Sequence, residues 1–250
     1  MPASKLLSLV LIFFFTSLIS VVTGSTSLIT VPVMIEFGID PHIAVATNMM
    51  ALIFMSLGGS LPFAREGVIE RRFLPISIVL TLVGSALGAL LLLRIPVRAL
   101  QLTIAIAMIA VAVFSLARKG GTSEHSVSSS RRAVGYVATF LLAVYGGFFS
   151  GGYVTMLTAV FVLLFGLTFL QSVATTKVVN VFSSAMATLI FAWHGVVDYK
   201  LGVILGVTMF LGAIVGGHVT MRLNPIWLRR IFLFAVLGLA AKMVFAFLQQ

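Results

Sequence analysis

The segment FGIDPHIAVATN, residues 37–48, returns as FGLTFLQSVATT at residues 165–176. This register, position 37 on position 165, persists without a gap. Gly67-Val68 falls on Gly195-Val196, and Gly84, Gly88 and Arg94 fall on Gly212, Gly216 and Arg222. Of the 58 positions from 37 to 94, 17 are identical in the second copy, and Glu70/Asp198 and Arg72/Lys200 keep their charge. Apolar composition inflates such a score, but ungapped glycine and charge matches do not follow from apolarity alone. Two copies of a membrane-spanning unit are the arrangement from which secondary transporters are built, with a site at the repeat interface near the bilayer midplane.

Working outward, 60% of the 250 residues are apolar and 9% charged, with a mean hydropathy of +1.20. Soluble domains hold roughly 45–50% apolar and 25% charged residues. The chain therefore reads as an integral membrane protein. With about 20 apolar residues per helical crossing, its length accommodates roughly eight spans and no large soluble domain. Cysteine is absent, which excludes disulfides and thiolate metal sites. Sixteen Lys+Arg against six Asp+Glu give a net charge of +10. In a membrane chain this excess marks cytoplasmic loops rather than nucleic-acid binding. Residues 1–25 resemble a signal peptide, but residues 11–32 correspond to 139–160 of the second copy, so they are expected to be retained.

Each half reads alike. A first apolar helix (about 5–22 and 133–149) runs into a small-residue break, Thr23-Gly24-Ser25-Thr26-Ser27 or Ser150-Gly151-Gly152. A short apolar segment follows (about 25–38 and 153–166), then three longer helices near 42–64, 73–93 and 97–117, repeated near 169–192, 201–222 and 226–247. The short segment is about 21 Å long as helix, too short for a core of about 30 Å, so a re-entrant or half-membrane helix is expected. Asp40-Pro41 reads as a helix N-cap followed by proline in the first turn. The fold expected is an all-α membrane protein of two homologous four-to-five-helix repeats, residues 1–119 and 133–250, joined by a polar linker at 120–132. Placing residues 65–72 and the linker in the cytoplasm puts ten basic residues inside and five outside, whether each repeat crosses four times or five. Inversion of the second repeat is favoured because two inverted breaks can face one midplane site.

No HExxH, GxSxG or phosphate-binding glycine loop is present, and His42, His125, His194 and His218 do not cluster at ligand spacing. Neither an enzyme, a cofactor nor a metal is expected. Lys177 stands apart as the one ionised residue well inside an apolar span, in Ala174-Thr175-Thr176-Lys177-Val178-Val179-Asn180. A charge at that depth costs roughly 2.5–3.5 kcal/mol on insertion scales and usually faces a cavity or the protein interior. Thr176 and Asn180 share a helix face with Lys177 at its edge, and the first half carries Thr47-Asn48 at the same place. Hydroxyls, amides and a cation without a carboxylate are the donors an oxyanion needs; the competing reading is a lysine that snorkels or pairs with a carbonyl. At the breaks, Gly24, Ser25, Thr26, Gly151, Gly152 and Tyr153 complete the candidate substrate site, with Ser27 and Thr155 as further hydroxyl donors. Helix N-termini there point positive dipole ends at whatever is bound, though small residues also serve close packing. The Gly84/Gly88 and Gly212/Gly216 pairs are read as packing.

The small-residue break, Pro32, Ala44-Val45-Ala46-Thr47-Asn48, Gly67-Val68-Ile69-Glu70, Gly151-Gly152-Tyr153, Val173 to Asn180 and Gly195-Val196-Val197-Asp198 together resemble the TauE/SafE (TSUP) sulfite and organosulfonate permeases. The likeness covers nearly the whole chain. It departs at residues 23–27, where members of the family often carry a glycine cluster. The resemblance implies a multi-pass protein of the cytoplasmic (inner) membrane that moves a small sulfur-containing anion such as sulfite or sulfoacetate. Its partners would be that anion and the lipid bilayer, with a homodimer left open and no nucleic acid. The alternatives are an anion channel or a permease for another small anion.

Overall fold

A computed structural model describes residues 3–24, 26–117 and 128–220. Ser25, most of the expected linker and the expected final helix at 226–247 lie outside the described residues. Nine α-helices are present among the described residues. The first half contains α1 (Ala3–Thr23), α2 (Ser27–Glu36), α3 (Pro41–Arg65), α4 (Leu74–Arg94) and α5 (Val97–Ala117). The second contains α6 (Ser129–Phe148), α7 (Tyr153–Phe165), α8 (Phe169–Trp193) and α9 (Tyr199–Thr220).

Local chemistry sets the helix starts. Asp40 caps α3, accepting hydrogen bonds from the N–H groups of His42 (2.9 Å) and Ile43 (3.3 Å) ahead of Pro41. Thr168 and Gln171 form a reciprocal capping box on α8. Ser128 accepts from the Arg131 N–H, so α6 begins at Ser129, inside the stretch read as linker. The six glycines found at positive φ fall into three pairs, Gly24/Gly152, Gly38/Gly166 and Gly67/Gly195, each in the register of the repeat. At the first break a single glycine, Gly24 with φ of +74°, makes the turn for which a cluster was the family's pattern.

Both short helices double back. Lys5 Nζ at the start of α1 donates to the Phe37 carbonyl just past α2 (3.3 Å), and the Tyr136 ring early in α6 meets Phe165 at the end of α7 (5.0 Å between centroids). Each pair is thus a re-entrant hairpin with its break inside the protein, where irregular backbone is sheltered from lipid. The long central helices α3 and α8 run antiparallel. The Glu70 N–H, in the loop after α3, donates to Thr175 Oγ1 near the start of α8 (3.1 Å). The Asp198 N–H, in the loop after α8, donates to Thr47 Oγ1 near the start of α3 (3.0 Å). Positions 47 and 175, like 70 and 198, correspond in the repeat, so the exchange is reciprocal.

The outer helices α4 and α9 turn apolar side chains outward, and α4 is also polar inward. On α4, Ser77, Thr81 and Ser85 are fully buried while Ile76, Val79, Val83 and Leu87 are exposed. On α9, Val207, Leu211 and Val215 expose the stripe that corresponds to Val79, Val83 and Leu87. Water would favour the opposite arrangement, so the surrounding solvent is hydrocarbon. Five helices among the described residues are long and apolar enough to cross a membrane. Trp193 and Tyr199, both exposed at one end, suit a membrane–water interface.

The reciprocal loop bonds are testable. Thr47→Val and Thr175→Val each keep side-chain shape but strand a loop N–H, and each is expected to cost about 1 kcal/mol. Thermal unfolding in detergent should show lowered, roughly additive midpoints with substrate affinity little changed. Weakened substrate binding at unchanged stability would instead place these hydroxyls in the site.

Candidate functional site

The two breaks meet. A Cβ placed on Gly24 would stand 2.9 Å from Val154 Cγ1 and 3.0 Å from the Thr155 backbone nitrogen, so only glycine permits this approach. Ser27 Oγ and Ser150 Oγ, one from each break, are 2.5 Å apart. Asn48 steadies the contact from α3: its Nδ2 donates to Ser27 Oγ (2.8 Å), while its Oδ1 accepts from Thr30 Oγ1 (2.7 Å). Because α2 and α7 both begin here, both positive dipole ends converge on one place.

Lys177 reaches this meeting point from α8. Its side chain is 1% exposed, and Nζ donates to the Ser20 carbonyl in the last turn of α1 at 3.3 Å. A cation at a helix C-terminus is favourable, so part of the carbonyl-pairing reading is realised. The ammonium carries three donors, and among the described residues this is its one hydrogen bond to protein. A small cavity adjoins it, lined on its polar side by Lys177, Asn180, Thr26, Ser27 and Ser150 and on its apolar side by Leu52, Met55 and Val154, with Gly24 at the turn. No carboxylate is among its walls. Asn180 Nδ2 donates to Ser56 Oγ (2.6 Å), and its buried Oδ1 has no protein partner among the described residues. The cavity measures about 10 Å³, room for about one water. As it stands, that volume is too small for an oxyanion.

A family model described as Sulfite exporter TauE/SafE matches residues 9–243. The chain belongs to the TauE/SafE family. Among its relatives is a protein of Haemophilus influenzae called "Probable membrane transporter protein", 27% identical over 233 residues, covering 93% of this chain and 91% of that one. "Probable membrane transporter protein ORF9" of Sinorhizobium sp. is 29% identical over 238 residues, covering 92% and 89%. "Probable membrane transporter protein YfcA" of Escherichia coli K12 is 26% identical over 225 residues, covering 90% and 84%. No solved structure matches this chain. Family, relatives and apolar helices together make this TauE/SafE member a multi-pass membrane transporter.

Of the residues singled out from sequence, Lys177, Asn180, Gly24 and Thr26 line the cavity. Asn48 stands behind it, acting through Ser27. Thr47 and Thr175 turn to the loops at opposite ends. Thr176 bonds back to the Ser172 carbonyl (2.7 Å) and faces Thr158 of α7. Gly151 is wedged between Leu28 and Phe149, its carbonyl accepting from the Tyr145 hydroxyl, and Gly152 makes the left-handed turn into α7. Tyr153 is fully buried, its ring against Gly146. Ser25 lies outside the described residues.

Sequence reading named Ser27 only as a hydroxyl donor and Ser150 only as part of a break, and it passed over Leu52, Met55 and Val154. The repeat register held the missing signal. Leu52 of the first copy corresponds to Asn180 of the second, and Thr26 corresponds to Val154. All four line the cavity, with one polar and one apolar member in each pair.

Proposed function

We propose that this transporter is a secondary carrier for a small sulfur-containing anion, sulfite or an organosulfonate such as sulfoacetate, across the cytoplasmic membrane. The observation that carries the reading is the convergence of Lys177, Asn180, Thr26, Ser27 and Ser150 on one small cavity without a carboxylate, at the meeting of two helix breaks. Ammonium and hydroxyl donors suit sulfur-bound oxygens, and charge-assisted hydrogen bonds of this kind are the strong ones. Leu52, Met55 and Val154 supply an apolar wall for the carbon part of a sulfonate. The family's description supports the sulfur anion, and the antiparallel α3 and α8 support movement of residues 1–119 against 133–250 about the site. The small size of the cavity, about 10 Å³, favours a carrier over an open channel.

Counterflow into proteoliposomes is the test. Vesicles loaded with unlabelled sulfite should transiently accumulate labelled sulfite or sulfoacetate from outside, saturably, while labelled acetate fails to accumulate. Non-saturating flux without counterflow would establish a channel. Exchange of acetate in preference to both sulfur anions would overturn the substrate class.

A further inference from the structure

A second basic cavity lies far from the central site, at the membrane edge where α4 and α6 begin. It has a volume of about 430 Å³, and its walls include Arg72, Phe73, Ile76, Ser129, Arg132 and Tyr136. Two arginines line it, with no acidic residue in its lining. Arg132 Nε is buried and has no hydrogen-bond partner among the described residues, and the Arg72 guanidinium stands over the Phe73 ring at 5.6 Å. Two of its lining rings belong to an aromatic cluster in which Phe165 packs on both Phe73 (4.9 Å) and Tyr136 (5.0 Å). A Cβ on Gly135 would strike Phe165, so the cluster depends on that glycine.

What distinguishes this cavity from a basin for free anions is its continuation. From Ile76 an exposed apolar stripe follows α4 through Val79, Val83 and Leu87. A second stripe on α6, Val137 and Leu141, starts one turn beyond the lining residue Ala133. The two helices run side by side away from the cavity, Gly84 packing on Phe140 and Ala143, and Gly88 on Val144 and Phe148. The α4 stripe, from position 76 to position 87, is about 16 Å of helix, comparable with one leaflet of the hydrocarbon core. The corresponding corner of the other half is built differently. Arg132 is replaced there by Ser4, and the nearby Lys5 is engaged with the Phe37 carbonyl and ring.

We propose that this cavity binds the phosphate of an anionic phospholipid, with Arg72, Arg132 and Ser129 holding the headgroup and the acyl chains lying along the α4 and α6 stripes. Basic pockets between transmembrane helices recognise anionic headgroups in this way, and the occupied leaflet is the one on the side of the 66–73 loop. The site is independent of the substrate assignment.

The experiment uses the full chain, purified and delipidated in detergent, with phosphatidylglycerol and phosphatidylcholine as probes in native mass spectrometry and thermal unfolding. Phosphatidylglycerol should be retained and raise the unfolding midpoint, phosphatidylcholine should do neither, and millimolar inorganic phosphate should not displace the lipid. The Arg72→Gln/Arg132→Gln double variant should bind phosphatidylglycerol roughly thirtyfold more weakly, the worth of two basic side chains at an anionic surface. Arg131→Gln, outside the cavity lining, should bind as wild type. Equal retention of the two lipids by the wild-type protein overturns the proposal without recourse to any variant. So does undiminished binding by the double variant, and displacement by phosphate would mark a free-anion site instead.

Discussion

Replacing Lys177 with methionine is expected to lower substrate affinity roughly ten- to hundredfold, the loss of a charge-assisted hydrogen bond of about 1.5–3 kcal/mol, while the protein still inserts and folds. Methionine is similar in length and fills the same fully buried space beside Gly59, whose Cβ position lies 3.7 Å from Lys177 Cδ. The Ser20 carbonyl left behind is not orphaned, because it also accepts from the Gly24 N–H at 2.8 Å. Removing the cation also ends the desolvation of a buried charge, which offsets part of the lost helix-end interaction. Lys177→Arg should impair transport as well, since a planar fork cannot replace a compact ammonium in a cavity of about 10 Å³. Equilibrium binding of sulfite or sulfoacetate and uptake at sub-saturating substrate, read beside unfolding midpoints, separate the alternatives. Near-normal binding by Lys177→Met with a lowered midpoint would assign the lysine to holding the end of α1 and remove it from the site.

The largest effect on folding is expected at Gly88. A Cβ there would sit 2.6 Å from the Phe148 backbone nitrogen and collide with the Val144 carbonyl. The same contact is made from the other side by Gly147 against the backbone of Ser85. Backbone meets backbone along this seam, so no rotamer change can relieve an added side chain, and α4 and α6 must part. Gly88→Leu should therefore exceed the roughly 1–3 kcal/mol of ordinary overpacking and abolish recovery of monodisperse protein by size-exclusion chromatography. Leu87→Ala, next in sequence but on the lipid-facing side and 49% exposed, should change stability by no more than about 0.5 kcal/mol. A Gly88→Leu protein with a wild-type midpoint would sink the close-packing account of this spacing.

Much of the architecture was legible because it is local. Asp40 before Pro41, and Thr168 shortly before Gln171, announce helix starts through bonds made within a single turn. The shortness of α2 forces a half-membrane hairpin whatever surrounds it. α6 starts at Ser129, a few residues ahead of the start near 133 read from sequence, since Ser128 to Arg132 reads by composition as a polar tether although a serine N-cap followed by basic residues also opens a helix.

The candidate site divided along the same line. Lys177 was visible in the sequence because an ionised residue within an apolar span stands out against its neighbours. Membership of TauE/SafE was likewise legible, as spaced glycine and polar motifs over nearly the whole chain. Which hydroxyls face the cavity was decided only in three dimensions. Thr47 and Thr175 sit beside the site residues in sequence, yet they turn to the loops of the opposite half. Ser27 and Ser150 are 123 residues apart and touch. The reason is physical: hydropathy marks a buried face only where one side of a helix differs from the other. On α8 the buried polar residues Ser172, Thr175, Thr176, Lys177, Asn180, Ser183 and Ser184 spread over more than half of the circumference, so helical periodicity groups residues onto faces without saying which neighbour each face meets. That choice was made by close packing at the glycines and by hydrogen bonds between distant segments.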